Sequence, residues 1–470
     1  QGANISMADW ADLILRTGKR LDWNRLLHRF GDHWRLLLMQ IVKFGFVYPS
    51  ERGKVIPREI VEELLARSLE EPEWFWDAVV RHLGLRFDVP YEAVLDDSDG
   101  TPWTRWLVGG ALNVVTNCVD RHAASARRER DAIRWEGENG AVRRMTYGEL
   151  AELTGRIAAG FAAAGVREGD RVGLVMPMVP EAVAAWYAIA AIGAVAVPMF
   201  SGYAAPAIRS RLADCEAVAV VTAATLRRRG RDLSLEREVV EACAGVPSVR
   251  FIAVWGDESP VRASRPRRIG WSELVAQGTV PTRAVGSEHP LLVAYTSGTT
   301  GRPKGAVHVH GGFLVKTAQE VHVQADLHDG DALFWLSDMG WIMAPWAFVG
   351  THACGETLVL FDGAPDYPGP DRLWELAARQ RITFFGLSPS LTRAMMPHGA
   401  AWPSAGPSPE VGTSAKPATP ATGKADACRG RGWRSLRELH LDPARLGLLE
   451  LGQAQGQHAV LQRRVDLGRV

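Results

Sequence analysis

The sequence predicts an α/β protein built on a largely parallel sheet, and three observations carry that expectation. Short apolar runs bounded by turn residues recur at 171–176, 218–222, 249–255, 291–295, 333–336, 357–361 and 383–385. Helical patterns such as 147–164, which stops at Gly165, alternate with them, the sequence form of βα units. The chain has 470 residues, 47% hydrophobic and 23% charged, which is ordinary globular usage with room for a sizeable core.

Taken in order, residues 1–66 read as short amphipathic helices. Leu26, Leu27, Phe30, Trp34, Leu37, Leu38, Ile41 and Val42 recur at three- and four-residue spacing until Pro49 and Ser50 break the run. A second unit opens near Glu70 with aromatics at Trp74, Phe75 and Trp76, then Trp103 and Trp106. They are expected to pack between subdomains, because no basic stripe interleaves them as base-stacking would require. The segment 171–176 is a buried strand ended by Pro177. The uncharged stretch 182–200 is nearly long enough to cross a bilayer, but it is dominated by alanine and interrupted by Gly193 and Pro198. It is expected to be a buried helix followed by a short strand at 195–197. After 385 the alternation fails. Residues 403–424 are rich in Pro, Ala, Ser, Gly and Thr, the composition of a linker.

Charge and cysteine usage narrow the function classes. Lys plus Arg number 54 against 53 acidic residues, a net charge of +1, so no global field favours nucleic acid or an anionic membrane. Five cysteines lie far apart, without a C-x-x-C pair or zinc spacing, and read as reduced thiols of a cytoplasmic protein. His308 and His310 lack a third ligand nearby, so no metal site is expected there. The first residue is Gln1 rather than Met, which suggests a chain cut from something longer.

The chemistry is expected at 291–305, LLVAYTSGTTGRPKG, where an apolar strand runs into a turn of small and hydroxylated residues. Thr296, Ser297, Gly298, Thr299, Thr300 and Gly301 let the backbone point its N–H groups into one concavity, to which Lys304 adds a point charge. The expected guest is a polyphosphate. A Walker P-loop does not fit, because Pro303 precedes the lysine and Gly305 follows it.

YTSGTTGRPKG at 295–305 resembles, position for position, the signature of the adenylate-forming (AMP-binding) superfamily. Its flanks are similar to the acetyl-CoA synthetase branch: GGALNVVTNCVDRHA at 109–123, HVHGGFLV at 308–315 and SDMGWIMAPW at 337–346. The resemblance implies the large N-terminal domain of that fold, with stacked αβ subdomains and without the small C-terminal lid domain. It implies an ATP-dependent acyl-CoA synthetase that activates acetate or another short carboxylic acid through an acyl-adenylate, with ATP, Mg²⁺ and CoA. Thr296 and Lys304 are then the catalytic candidates in the phosphate loop, and Trp341, Ile342 and Met343 wall the acyl pocket. Arg228 and Arg231, in TAATLRRRGR at 222–231, fall on the two family arginines that meet the phosphates of CoA. From composition alone the same run reads as a solvated helix end.

The implied organisation is a helical segment at 1–66, an acetyl-CoA synthetase N-terminal-like region at 67–145 and a partial AMP-binding domain at 146–400. A linker at 401–432 and an unassigned end at 433–470, read as a frameshifted stretch, complete it. Residues 20–52 also resemble the C-terminal tail of a nucleotidyltransferase family. The segments expected to follow the phosphate loop, among them a Gly-Glu-Pro adenine segment and a lysine needed for adenylation, are not found between 400 and 470. Two readings stand: a synthetase by descent, or a catalytically incomplete remnant that at most binds nucleotide or CoA. In both, the partners are small molecules, with no nucleic acid and no membrane.

Overall fold

The computed structural model describes residues 66–100, 103–257, 265–296 and 304–395. The expected helices before residue 66 and everything after 395 therefore lie outside the described residues. The chain divides into two compact units. The described part of the smaller unit is 369–375 and 389–395; the larger comprises 66–368 and 376–388 and carries both main sheets.

The larger unit begins with α1 (Pro72–His82) and three short strands, β1 (Ala93–Asp96), β2 (Arg105–Val108) and β3 (Ala111–Leu112). A π-helical turn at Thr116–Asp120 leads directly into α2 (Arg121–Ala123). Trp76 meets Trp106 edge-on with ring centroids 6.2 Å apart, the packing role expected of these aromatics, whereas Trp103 is exposed. Next come β4 (Asp131–Gly137), β5 (Val142–Thr146) and α3 (Tyr147–Ala163). A capping box starts α3: Thr146 Oγ1 accepts from the Glu149 N–H at 3.2 Å, and the Glu149 carboxylate accepts from the Thr146 N–H at 2.7 Å.

The alternating region follows as β6 (Arg171–Val175), α4 (Pro180–Ala191), β7 (Val195–Pro198), α5 (Ala205–Asp214) and β8 (Ala219–Ala223). The strands β9 (Thr225–Arg228) and β10 (Arg231–Ser234) precede α6 (Leu235–Cys243), β11 (Phe251–Trp255), β12 (Arg267–Gly270) and α7 (Trp271–Leu274). Then β13 (Val285–Gly286), β14 (Pro290–Thr296), β15 (Lys304–Val309) and α8 (His310–Gln319) lead to β16 (Ala332–Trp335), α9 (Met343–Cys354) and β17 (Thr357–Asp362). The described chain ends with α10 (Arg372–Gln380), β18 (Phe384–Gly386) and α11 (Pro389–Met395). The stretch 182–200 is the buried α4 followed by β7, as expected, and all twelve α4 residues are buried. Among the described residues no helix is long and apolar enough to cross a membrane.

Two sheets organise this unit. One has seven strands in the order β12-β11-β8-β6-β7-β14-β15, parallel except for β15. The other has the order β18-β16-β17-β4-β5, parallel except for β5. Crossovers run in opposite directions along the seven-stranded sheet, from β6 to β7 and from β7 back to β8. Right-handed connection then puts α4 on one face and α5 on the other. Trp186 and Tyr187 of α4 meet Phe348 of α9 with ring centroids 4.9 and 5.5 Å apart, so aromatic packing joins the layers.

Several ionisable groups are buried in this packing. His352 donates from Nε2 to the Ala132 carbonyl and accepts from the Tyr187 hydroxyl on Nδ1, a neutral imidazole held at about 4 by burial. Glu356, 4% exposed, accepts from the Gly330 N–H at 2.8 Å, yet burial raises its carboxyl to about 7. A folded-state pKa above the unfolded value of about 4.5 means that this group's stabilisation is complete below about 4.5 and is lost as pH rises through about 7. Glu356→Gln is therefore expected to raise stability at pH 8 by about 3 kcal/mol and to change nothing below pH 4.5. Urea denaturation at the two pH values checks this; an equal effect at both would contradict it.

Candidate active site

Ligands of open parallel sheets bind outside the carboxyl ends of the strands. In both sheets those ends carry the segments singled out in the sequence. The turn after β14 is the expected phosphate loop, and β9 and β10 follow the end of β8. Residues 337–343 follow the end of β16.

The expected phosphate loop joins β14 and β15, an antiparallel pair in which Thr296 and Lys304 are Cα partners. The Thr296 hydroxyl donates to the Lys304 carbonyl at 3.5 Å, and both residues are exposed at the mouth. The structure thus brings these two candidates together. Ser297, Gly298, Thr299, Thr300 and Gly301 lie outside the described residues.

The base of the hairpin is fixed by Tyr295, whose hydroxyl donates to Asp214 at 2.6 Å. Arg211 is buried beside it, with its guanidinium 4.3 Å from the Tyr203 ring centroid and 5.7 Å from that of Tyr295. Arg211 donates to the Ala207 carbonyl at 2.7 Å and to the Tyr203 hydroxyl at 3.2 Å. A cation on aromatic faces suits arginine, whose guanidinium is weakly hydrated.

The segment 337–343 lies on the end of β7. Asp338 accepts from the Ser201 hydroxyl at 2.5 Å and from the Gly340 N–H at 2.9 Å. Burial raises the Asp338 carboxyl above the usual aspartate value, against the pull of Ser201 and the backbone donors. A Cβ on Gly340 would stand 2.1 Å from the Phe200 nitrogen, so only glycine permits this backbone approach. Trp341 is 61% exposed, while Ile342 and Met343 are half-buried at the start of α9. Because β7 pairs in parallel with β14, the expected acyl-pocket residues and the phosphate hairpin share one edge of the sheet.

The arginine run forms a β-hairpin rather than a helix end, with Arg228 and Arg231 as Cα partners. It docks on the carboxyl ends of β4 and β17. Arg228 donates to Asp362 at 2.6 Å, and the Glu138 carboxylate accepts N–H groups from Arg229, Gly230 and Ala364 at 2.7–2.9 Å. Burial would raise the Glu138 carboxyl, but these three donors bring it below its ordinary value. Arg228 is thus held by a carboxylate, whereas Arg231 is exposed without an ion pair among the described residues.

His308 packs edge-on against Phe313, and His310 is fully buried with Nδ1 accepting from the Val114 N–H. Both are packing residues. No group of three or more His, Cys, Asp or Glu that could hold a metal occurs among the described residues.

Sequence reasoning missed Asp338, Ser201, Gly340, Glu138, Asp362 and the Arg211, Tyr203 and Asp214 group. Asp338 and Gly340 lay inside a segment already singled out; Ser201, Glu138, Asp362 and Asp214 meet partners 81 to 137 residues away, and Arg211 with Tyr203, though only eight apart, carries no motif.

This geometry defines an α/β protein with two mainly parallel sheets and an antiparallel hairpin at the carboxyl edge of the larger one. The chain belongs to the AMP-binding enzyme family, whose model matches residues 119–437. Residues 61–118 match the acetyl-coenzyme A synthetase N-terminus. Within the family it is similar to acetyl-coenzyme A synthetases, 35% identical over 359 residues to that of Chlorobaculum tepidum and 36% over 373 residues to that of Pyrobaculum aerophilum. Each match covers 75% of this chain and 54% of the relative. A solved acetoacetyl-CoA synthetase from Streptomyces lividans superposes with a TM-score of 0.66 at 32% identity, covering 72% of this chain and 51% of that one. The chain spans about half the length of the curated relatives it matches.

Proposed function

We propose that this chain is the nucleotide- and acid-binding part of an AMP-forming acyl-CoA synthetase acting on acetate or another short carboxylic acid. The observation that carries the reading is the hairpin whose mouth holds Thr296 and Lys304, on the same sheet edge as Trp341, Ile342 and Met343. In that reaction a carboxylate oxygen attacks the α-phosphorus of ATP, pyrophosphate leaves, and the CoA thiolate then displaces AMP from the acyl-adenylate. No protein nucleophile is required. Lys304 holds a positive charge at the β- and γ-phosphates, and the hairpin keeps it there while charge builds on the leaving pyrophosphate. Mg²⁺ supplies further charge neutralisation on the same phosphates when bound. Arg231, exposed and without an ion pair among the described residues, is the candidate for contact with a CoA phosphate, and Arg228 supports the hairpin through Asp362. A cytoplasmic location suits these substrates.

A second reading, nucleotide binding without turnover by this chain alone, is favoured by the chain's matching only 54% of the length of its synthetase relatives. Acetate-dependent exchange of labelled pyrophosphate into ATP separates the two. For this chain alone the expected result is ATP binding with little or no exchange. Robust exchange abolished by Lys304→Ala would establish the full half-reaction and overturn the second reading. ATP hydrolysis without any acid would overturn both.

A further inference from the structure

A cleft of about 340 Å³ opens between the π-helical turn, α3, the last residue of α4 and residues 280–282. Ala191 ends α4 just before the amino end of β7, so the cleft lies at the opposite edge of the sheet from the phosphate hairpin. Its polar lining is Thr116, Asp120, Thr154 and Thr282, and Ala151, Gly155, Ala191, Val280 and Pro281 complete the wall. No lysine, arginine or histidine lines it.

Two features mark it as built for a guest. Thr154 is 2% exposed, and its hydroxyl has no hydrogen-bond partner among the described residues. A buried hydroxyl left without a partner is costly. Asp120 accepts from the Thr282 hydroxyl at 2.6 Å and has no cationic partner among the described residues. Burial raises its carboxyl above the ordinary value, against the pull of the Thr282 hydroxyl, and a cation beside it would favour the carboxylate. The cleft therefore offers one carboxylate and three hydroxyls beside a short apolar wall, at the small end of ligand-pocket volumes.

We propose that this cleft binds a small primary alkylammonium ion, with the ammonium on Asp120 and Thr154 and the aliphatic body on Ala151, Val280 and Pro281. An ammonium has three donors, which match the acceptor-rich lining, and a short chain covers the apolar wall.

Calorimetric titration with n-butylammonium chloride at pH 7.5, against 1-butanol and sodium chloride, tests this. The expected result is saturable one-to-one binding, at least tenfold tighter than 1-butanol, with no response to sodium chloride. Asp120→Asn is expected to weaken it at least tenfold, and Thr154→Val several-fold. Ala151→Leu, which fills the cleft and leaves the carboxylate in place, is expected to abolish it and decides the matter if Asp120→Asn fails to fold. Absence of saturable binding, which would mean a water-filled cleft, overturns the proposal. So does equal binding of 1-butanol, or binding unchanged in Ala151→Leu.

Discussion

Lowering the pH from 6.5 towards 4 is expected to unfold the protein steeply, because His122, His310 and His352 are buried and His308 half-buried as neutral imidazoles. Burial depresses His122 and His310 to about 3, and His308 and His352 to about 4. Their folded-state values lie below the unfolded one, so their stabilisation is complete above pH 6.5 and is lost as pH falls towards those values. Each costs about 1.4 kcal/mol per pH unit in that window, and together they reach about 5 kcal/mol per unit. Glu356 works in the opposite direction over part of the same range and offsets about one proton. Urea denaturation between pH 7 and 5 should therefore show a net uptake of about two to three protons on unfolding. A flat profile would contradict the burial of these rings. The consequence reaches the candidate site, since His308 lies on the same strand as Lys304, β15, and His310 starts α8 immediately after it.

Gly340→Ala is expected to destabilise the protein by about 3 kcal/mol and to weaken ligand binding at the same time. The new Cβ would stand 2.1 Å from the Phe200 nitrogen and 2.4 Å from the Met199 carbonyl carbon, backbone atoms that cannot turn aside. Either β7 or residues 337–343 must shift, and the link from Ser201 to Asp338 breaks. Gly160→Ala is the control. Its Cβ would meet the Leu274 carbonyl oxygen at 2.1 Å, an equally severe clash within the helical packing of α3 and α7. Both variants should lose stability by thermal denaturation, but only Gly340→Ala should also weaken ATP or acyl-adenylate binding at temperatures where both remain folded. Equal binding by the two variants would show that the 337–343 segment does not shape the site.

The sequence made the larger unit legible because its strands are buried runs bounded by breakers. The strands at 332–335 and 384–386 fall within one residue of expectation, and α4 with β7 resolves the long apolar stretch without a membrane. The arginine run was ambiguous because its strands pair only with each other, and its anchors, Glu138 and Asp362, lie about 90 and 134 residues away. The same distance hid Ser201 from Asp338, a separation of 137 residues. The β14–β15 hairpin was legible for the opposite reason. Its strands and its lysine are nearly contiguous, so no remote partner had to be found, while the anion nest expected between them lies outside the described residues.

Equilibrium titration of the chain with ATP, compared with Lys304→Ala, tests the central claim most directly. The account predicts saturable one-to-one binding that Lys304→Ala weakens at least tenfold for ATP and far less for AMP, because the lysine stands at the phosphates beyond the first. No binding of ATP by the folded chain, or binding that Lys304→Ala leaves unchanged, would contradict it.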